Sequence, residues 1–171
     1  MAVMNQYITR GLVKSILAAT IMIALLLIIL FRSFKLGIVA MIPNIYPLLI
    51  CGAIMGFAGI PMEFVTMTIA PMIMGLAVDD TIHFISHISK EMKSTGNTRM
   101  SIRFAFRTVG TAISETTVIL CLTFLVFIVS DINSIRNMGI LSAAGMAAAY
   151  SADIFITPLL ISYFYSKKNA D

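Results

Sequence analysis

The sequence has no tryptophan, two cysteines and very little charge: 12% of its 171 residues are Asp, Glu, Lys or Arg, while 59% are hydrophobic. Soluble domains carry about 25% charged and roughly 45–50% apolar residues. Twelve basic and eight acidic side chains cannot cover a soluble domain of this length without leaving large apolar patches, which excludes a soluble enzyme. Polar low-complexity segments are absent too, so intrinsic disorder fails. Cys51 and Cys121 both lie inside apolar blocks, which argues against a disulfide scaffold and leaves the redox compartment open.

What the chain does have is long apolar runs, with a mean hydropathy of +0.97. A bilayer core takes about 20 apolar residues per helix. Charge clusters cut the sequence into five such spans, over 12–31, 36–57, 64–89, 109–130 and 137–165. The fold class expected is all-α, a polytopic membrane helix bundle forming a single transmembrane domain over 1–171. Lys14 snorkels at the start of the first span, whose charge-free core is too long for a secretory signal. The second span contains Pro43, Pro47 and the Gly52–Gly56 pair, a GxxxG spacing that marks close helix packing. A turn at Gly59–Pro61 separates it from the third.

Basic residues orient the bundle. Arg32, Lys35, Lys90, Lys93, Arg99, Arg103, Arg107, Lys167 and Lys168 fall on one side, and Arg10, Lys14 and Arg136 on the other. The richer side is expected to be cytoplasmic, with the N-terminus outside, the C-terminus inside, and the turns near Pro61 and Asn133 on the outer face. The basic cytoplasmic connection 90–108 has Arg99, Arg103 and Arg107 every four residues, with Met100 and Phe104 beside them. That pattern suits a short helix on an anionic inner leaflet, and equally a solvated linker. Topology accounts for these charges, so no nucleic-acid partner is expected.

Four of the eight acids, Asp79, Asp80, Glu115 and Asp153, lie inside spans, where a charge toward lipid costs several kcal/mol. All four are therefore expected to face the bundle interior. At about 1.5 Å per residue, Asp79, Asp80 and Asp153 lie roughly 15–20 Å from the cytoplasmic surface, with His83 and Glu115 between them and that surface. Gly75, Asp79 and His83 recur at four-residue steps and share a helix face, and Asp80 aligns with His87. Pro71, one turn above Gly75, is expected to kink the helix. Gly145, Ala149, Asp153 and Thr157 also recur at four-residue steps, a small-residue stripe that admits a neighbouring helix. Docking the Gly75 face on the Ala149 face would bring the acids together.

Adjacent carboxylates away from bulk water repel when both are charged, which favours handling protons; hydrogen bonding to neighbouring Thr and Ser hydroxyls is the structural alternative. Asp79, His83 and His87 have helical ligand spacing, but no cysteine or further histidine completes a set, so no metal, cofactor or catalytic residue is assigned. The thirteen methionines, Met55, Met62, Met67, Met72 and Met74 among them, either fill gaps between helices or form a pliable apolar surface.

The segment Gly75-Leu76-Ala77-Val78-Asp79-Asp80-Thr81-Ile82-His83-Phe84 resembles the GxxxDD motif of the resistance-nodulation-division superfamily, specifically MMPL-type exporters of lipids and other hydrophobic compounds. The likeness extends to Pro43-Asn44, Thr108-Val109-Gly110 with Ala112-Ile113, and Ala152-Asp153 before Pro158. It is similar to the family's C-terminal five-helix unit, itself related to sterol-sensing domains. The resemblance implies that Asp79 and Asp80 form a proton relay driving export across a bacterial inner membrane. His83, Glu115 and Asp153 are read as access or relay positions, and Gly75, Pro71, Gly145 and Ala149 as packing or kink positions. Family members contain a second half and a large extracytoplasmic porter domain. The chain is thus expected to work with membrane lipids and with the missing half, the porter domain or a further copy of itself. A lipid-binding module of the sterol-sensing kind, without transport of its own, is the alternative.

Overall fold

The structure, a computed structural model, describes the backbone of residues 2–168 and the side chains of residues 11 and 14–163. Arg10, Lys167 and Lys168 of the charge count lie outside the described side chains. Among the described residues there are helices and no strands, and five helical spans are long and apolar enough to cross a membrane: Lys14–Phe31, Phe34–Ala58, Phe64–Thr95, Thr98–Val129 and Asn133–Tyr163.

The first two spans are α1 (Ala2–Phe31) and α2 (Phe34–Ala58), joined by a tight reversal at Arg32 and Ser33. Arg32 adopts a left-handed φ of 47°. The Ser33 hydroxyl accepts the Leu36 N–H at 3.3 Å, capping α2. The two helices then approach so closely that a Cβ on Gly37 would meet Ile28 Cγ1 at 2.6 Å. Gly59, left-handed at φ 64°, ends α2, a backbone state that glycine adopts without a Cβ penalty.

The third span is broken near its start. A single turn, α3 (Phe64–Met67), is followed by α4 (Ile69–Thr95). The expected kink at Pro71 is replaced by this interruption at Thr68. Pro71 falls in the first turn of α4, where its missing N–H would have had no intrahelical partner.

The basic connection is helical almost throughout. The span α4 runs on to Thr95, a left-handed Gly96 turns the chain, and Asn97 caps α5 (Thr98–Ala105) by accepting the Met100 N–H at 3.2 Å. A π-helical turn, Phe106–Gly110, joins α5 to α6 (Thr111–Leu125), which tightens over Val126–Val129 before the chain reverses. Ser101 and Ala105 are buried, and Phe106 meets Phe84 edge-on at 5.0 Å, fastening this connection to α4. The final span comprises α7 (Asn133–Ser151), a second π-helical turn at Ala152–Ile156 and α8 (Thr157–Lys168).

Span five is the centre of the bundle, packing on α2, α4 and α6, while α1 leans on α2 and α4. Gly145 lies where a Cβ would collide with Ile73 of α4 and lie 2.8 Å from Cys51 Sγ of α2, and Ala149 is buried one turn on. The small-residue stripe thus does admit its neighbours closely. Gly52 and Gly56 do not: both are exposed, with open space beyond each Cα. The GxxxG pair is therefore no internal packing seam, because α2 uses the face carrying Ala40, Asn44 and Cys51 instead. Exposed Leu17, Ile21 and Leu25 on α1, with Val118, Ile119 and Leu122 on α6, form the apolar exterior a bilayer requires.

The turns near Pro61 and Asn133 share one end of the bundle. Thr66 donates to the Pro61 carbonyl at 3.1 Å and accepts the Glu63 N–H at 2.9 Å, while the Ser134 hydroxyl at the start of α7 donates to the Glu63 carboxylate.

Candidate functional site

Two environments sit back to back on α4. Thr81 and Asp79 are two positions apart, so at about 100° per residue they point to nearly opposite sides of the helix. The inner face carries Ile73, Ala77, Thr81, Phe84 and Ile88, all buried. The outer face carries Gly75, Asp79 and His83, all exposed.

On the inner face a polar cluster closes around Asp153, which the second π-helical turn presents to α4. Its side chain is 3% exposed. One carboxylate oxygen, Oδ1, accepts the Thr81 hydroxyl at 2.8 Å and the Thr157 hydroxyl at 3.2 Å. Thr81 Oγ1 also lies 3.3 Å from Asn44 Oδ1, and the Asn44 amide nitrogen donates to the Ala40 carbonyl at 2.7 Å. The second oxygen, Oδ2, has no partner. A hydrogen bond contributes about 0.5–1.5 kcal/mol net and leaving a buried acceptor unpaired costs about 1–3 kcal/mol, so these hydroxyls hold Asp153 in place.

The outer face is different. Asp79 is 72% exposed at its side chain and lies 3.6 Å from His83 Nε2, one turn away. Gly75, a turn earlier, borders open space. Asp80 is half-buried beside this face, and His87 is half-buried further along.

The expectation that every intramembrane acid faces inward is therefore corrected for Asp79, and also for Glu115, which is exposed on α6. The expected docking of the Gly75 face on the Ala149 face is corrected as well. Gly145 packs on Ile73, with Ala149 buried one turn on, and the face of α4 that carries Ile73 is apolar apart from a neutral donor, Thr81. Bringing Asp79 there would set two carboxylates against each other. Asp153 thus meets hydroxyls where another acid was expected.

Asn44, Thr81 and Thr157 belong to this cluster without having been singled out as its ligands from sequence. The available signal was uncharged polar residues in apolar runs, Thr157 one turn after Asp153. Among the described residues no group of three His, Cys, Asp or Glu side chains could hold a metal.

Five apolar spans around a buried carboxylate, with a titratable stripe on an outer face, define a multi-pass membrane unit. Residues 1–168 match the MMPL family, and the chain belongs to it. The chain is similar to a Methanocaldococcus jannaschii protein named simply as a membrane protein, being 28% identical over 139 residues. The match takes in 81% of this chain and 36% of that relative, so the chain spans about a third of its relative's length. No solved structure matches it.

Proposed function

We propose that the chain is the proton-coupling membrane portion of an MMPL-type exporter of lipids or other hydrophobic compounds, located in the cytoplasmic membrane with its N-terminus outside. The observation that carries this reading is the position of the Asp79-Asp80 pair, mid-helix, with Asp79 open on the outer face beside His83. An aspartate at a span's centre costs about 2.5–3.5 kcal/mol on insertion scales, so lipid is a poor neighbour for it. The open Gly75 surface suits close approach by another helix. The other half of the exporter, or a second copy of this unit, covers the stripe and closes the relay. Substrate selection then belongs to a porter domain.

In the assembled transporter reconstituted in liposomes, Asp79→Asn and Asp80→Asn each abolish proton-driven export while leaving membrane insertion intact. Unchanged export in both variants overturns the reading. His83 and Glu115 connect the pair to the inner side; proton uptake unaffected by His83→Ala together with Glu115→Gln removes that step.

A second reading, a lipid-binding unit of the sterol-sensing kind, draws on an apolar cleft of about 180 Å³ lined by Ile16, Leu48, Cys51, Met55, Met62 and Met67. It suits a pliable methionine-lined groove for a hydrocarbon chain. Lipid binding that survives neutralisation of both aspartates, with no export at all, would favour it.

A further inference from the structure

We propose that the groove formed by Asn97, Arg99, Met100, Arg103 and Arg107 binds the phosphate headgroup of an anionic phospholipid. The proposal rests on the membrane-spanning bundle and not on the relay at Asp79 and Asp80.

The three arginines recur every four residues along α5 and the π-helical turn after it, and all three are exposed. With Asn97 and Met100 they line one open groove of about 390 Å³. Its charged and amide side chains offer donors. Each guanidinium presents N–H groups in a fixed fork and has no acceptor. Asn97 gives its side-chain oxygen to the Met100 N–H at 3.2 Å, which leaves its amide NH2 group as a further donor. A ligand that fits such a groove is an anion rich in acceptors, and the guanidinium fork matches phosphate oxygens in pairs.

These charges are not spent within the chain. Among the described residues the ion pair found is His83 with Asp79, so none of the three guanidiniums is paired with a carboxylate. Glu115, eight residues beyond Arg107, lies about 12 Å further along the helix and out of reach. Lys90 and Lys93, both exposed at the end of α4, add to the positive field at this end of the bundle.

Depth decides which anion is bound. A bilayer core takes about 20 helical residues. Counted back from Val129, where the fourth span ends, that length reaches Gly110. Arg107 then lies about 5 Å outside the hydrocarbon, at the level of the lipid phosphates, with Arg103 and Arg99 one and two turns further out. The opposite face of α5 is fixed by buried Ser101 and Ala105, which holds the ladder of arginines in place. Met100 and Phe104 are exposed beside it, and deeper on α6 so are Val118, Ile119 and Leu122. A phospholipid uses both parts of this surface, its phosphate on the arginines and its acyl chains along α6. A free phosphate would use the first part alone.

The chain has no tryptophan, so Thr111→Trp, at an exposed position one turn beyond Arg107, places a single fluorophore beside the bound lipid. The full chain carrying it is reconstituted in phosphatidylcholine nanodiscs with rising fractions of brominated phosphatidylglycerol or brominated phosphatidylcholine. At about fivefold per arginine, the phosphatidylglycerol should quench with at least about tenfold preference. Exchanging all three arginines for lysine (Arg99→Lys, Arg103→Lys, Arg107→Lys) keeps the charge and the topology but removes the forks, and should cut that preference at least about fivefold. Lys90→Gln with Lys93→Gln should leave it within about twofold, because those charges lie outside the groove. The Asp79→Asn, Asp80→Asn double variant keeps the preference while losing proton-driven export, so the two readings fail separately. Equal quenching by the two lipids overturns the proposal. So does a preference that survives the three lysine substitutions, which would leave only a diffuse basic surface, or one that falls as far in the Lys90, Lys93 double variant. Release of the quenching by excess inorganic phosphate would assign the groove to a free anion and overturn it as well.

Discussion

Asp153 and Asp79 meet opposite faces of the same helix and are treated in opposite ways. Asp153 is buried and accepts hydrogen bonds from the hydroxyls of Thr81 and Thr157. Asp79 stands open, beside a histidine and a glycine with nothing against it. A carboxylate at membrane depth needs polar company, and the inner face supplies it within this chain whereas the outer face does not. The inner face is therefore closed by folding, and the outer face is left open within this chain.

Substituting glycines on the two faces should separate them most sharply. Gly145→Leu drives a side chain into Ile73 and Cys51, and overpacking of this kind costs about 1–3 kcal/mol or more. It should lower the Tm of the isolated unit by the largest margin, read by circular dichroism in detergent. Gly75→Leu meets open space, so stability should hold within about 0.5 kcal/mol while association with the proposed covering partner is lost on size-exclusion chromatography. If Gly75→Leu destabilises the unit as much as Gly145→Leu, the contrast between the faces fails.

A smaller effect belongs to the hydroxyl. Thr81→Val removes the 2.8 Å donor from Asp153 and should destabilise the unit by about 1–3 kcal/mol, measured by reversible unfolding in mixed micelles. Asp79→Asn, on the exposed face, should leave that unfolding curve where it was. A matching loss in both variants would mean that the two carboxylates share one environment.

The smallest effect lies at the end of the bundle. Ser134→Ala removes the hydroxyl that joins the start of α7 to Glu63, with an expected cost of about 0.5–1.5 kcal/mol. Faster amide exchange confined to residues 61–68 and 133–136 would be its signature. Exchange spread across the inner face would show that the Asp153 cluster depends on this tie.

Much of the fold is legible as apolar run length, because a bilayer demands whole helices of about 20 residues. The five spans, the turn at Gly59–Pro61 and the tight packing at Gly145 all follow from that requirement and from residue size. The boundaries were harder to read. The basic stretch 98–108 reads equally as a short helix or a solvated linker; it is helical, with Ser101 and Ala105 buried in the bundle. Pro71 looks like a kink, yet it starts a helix. Gly52 and Gly56 look like a seam, yet they face outward.

The residues of the candidate site were legible as types, not as groupings. Gly75-Asp79-His83 and Gly145-Ala149-Asp153 are equally regular four-residue stripes, and periodicity shows which residues share a face without showing what that face meets. The sequence by itself determined that this is a five-span membrane helix bundle with acids at depth, since hydropathy and charge spacing answer to the bilayer alone. Only the tertiary structure decided that Asp153 is enclosed by Asn44, Thr81 and Thr157 while Asp79 is left outside, because that choice depends on which stripe of α4 packs best against α7. Burying the Ile73, Ala77 and Thr81 stripe removes apolar surface and supplies a neutral donor, whereas burying Asp79 would oppose two charges.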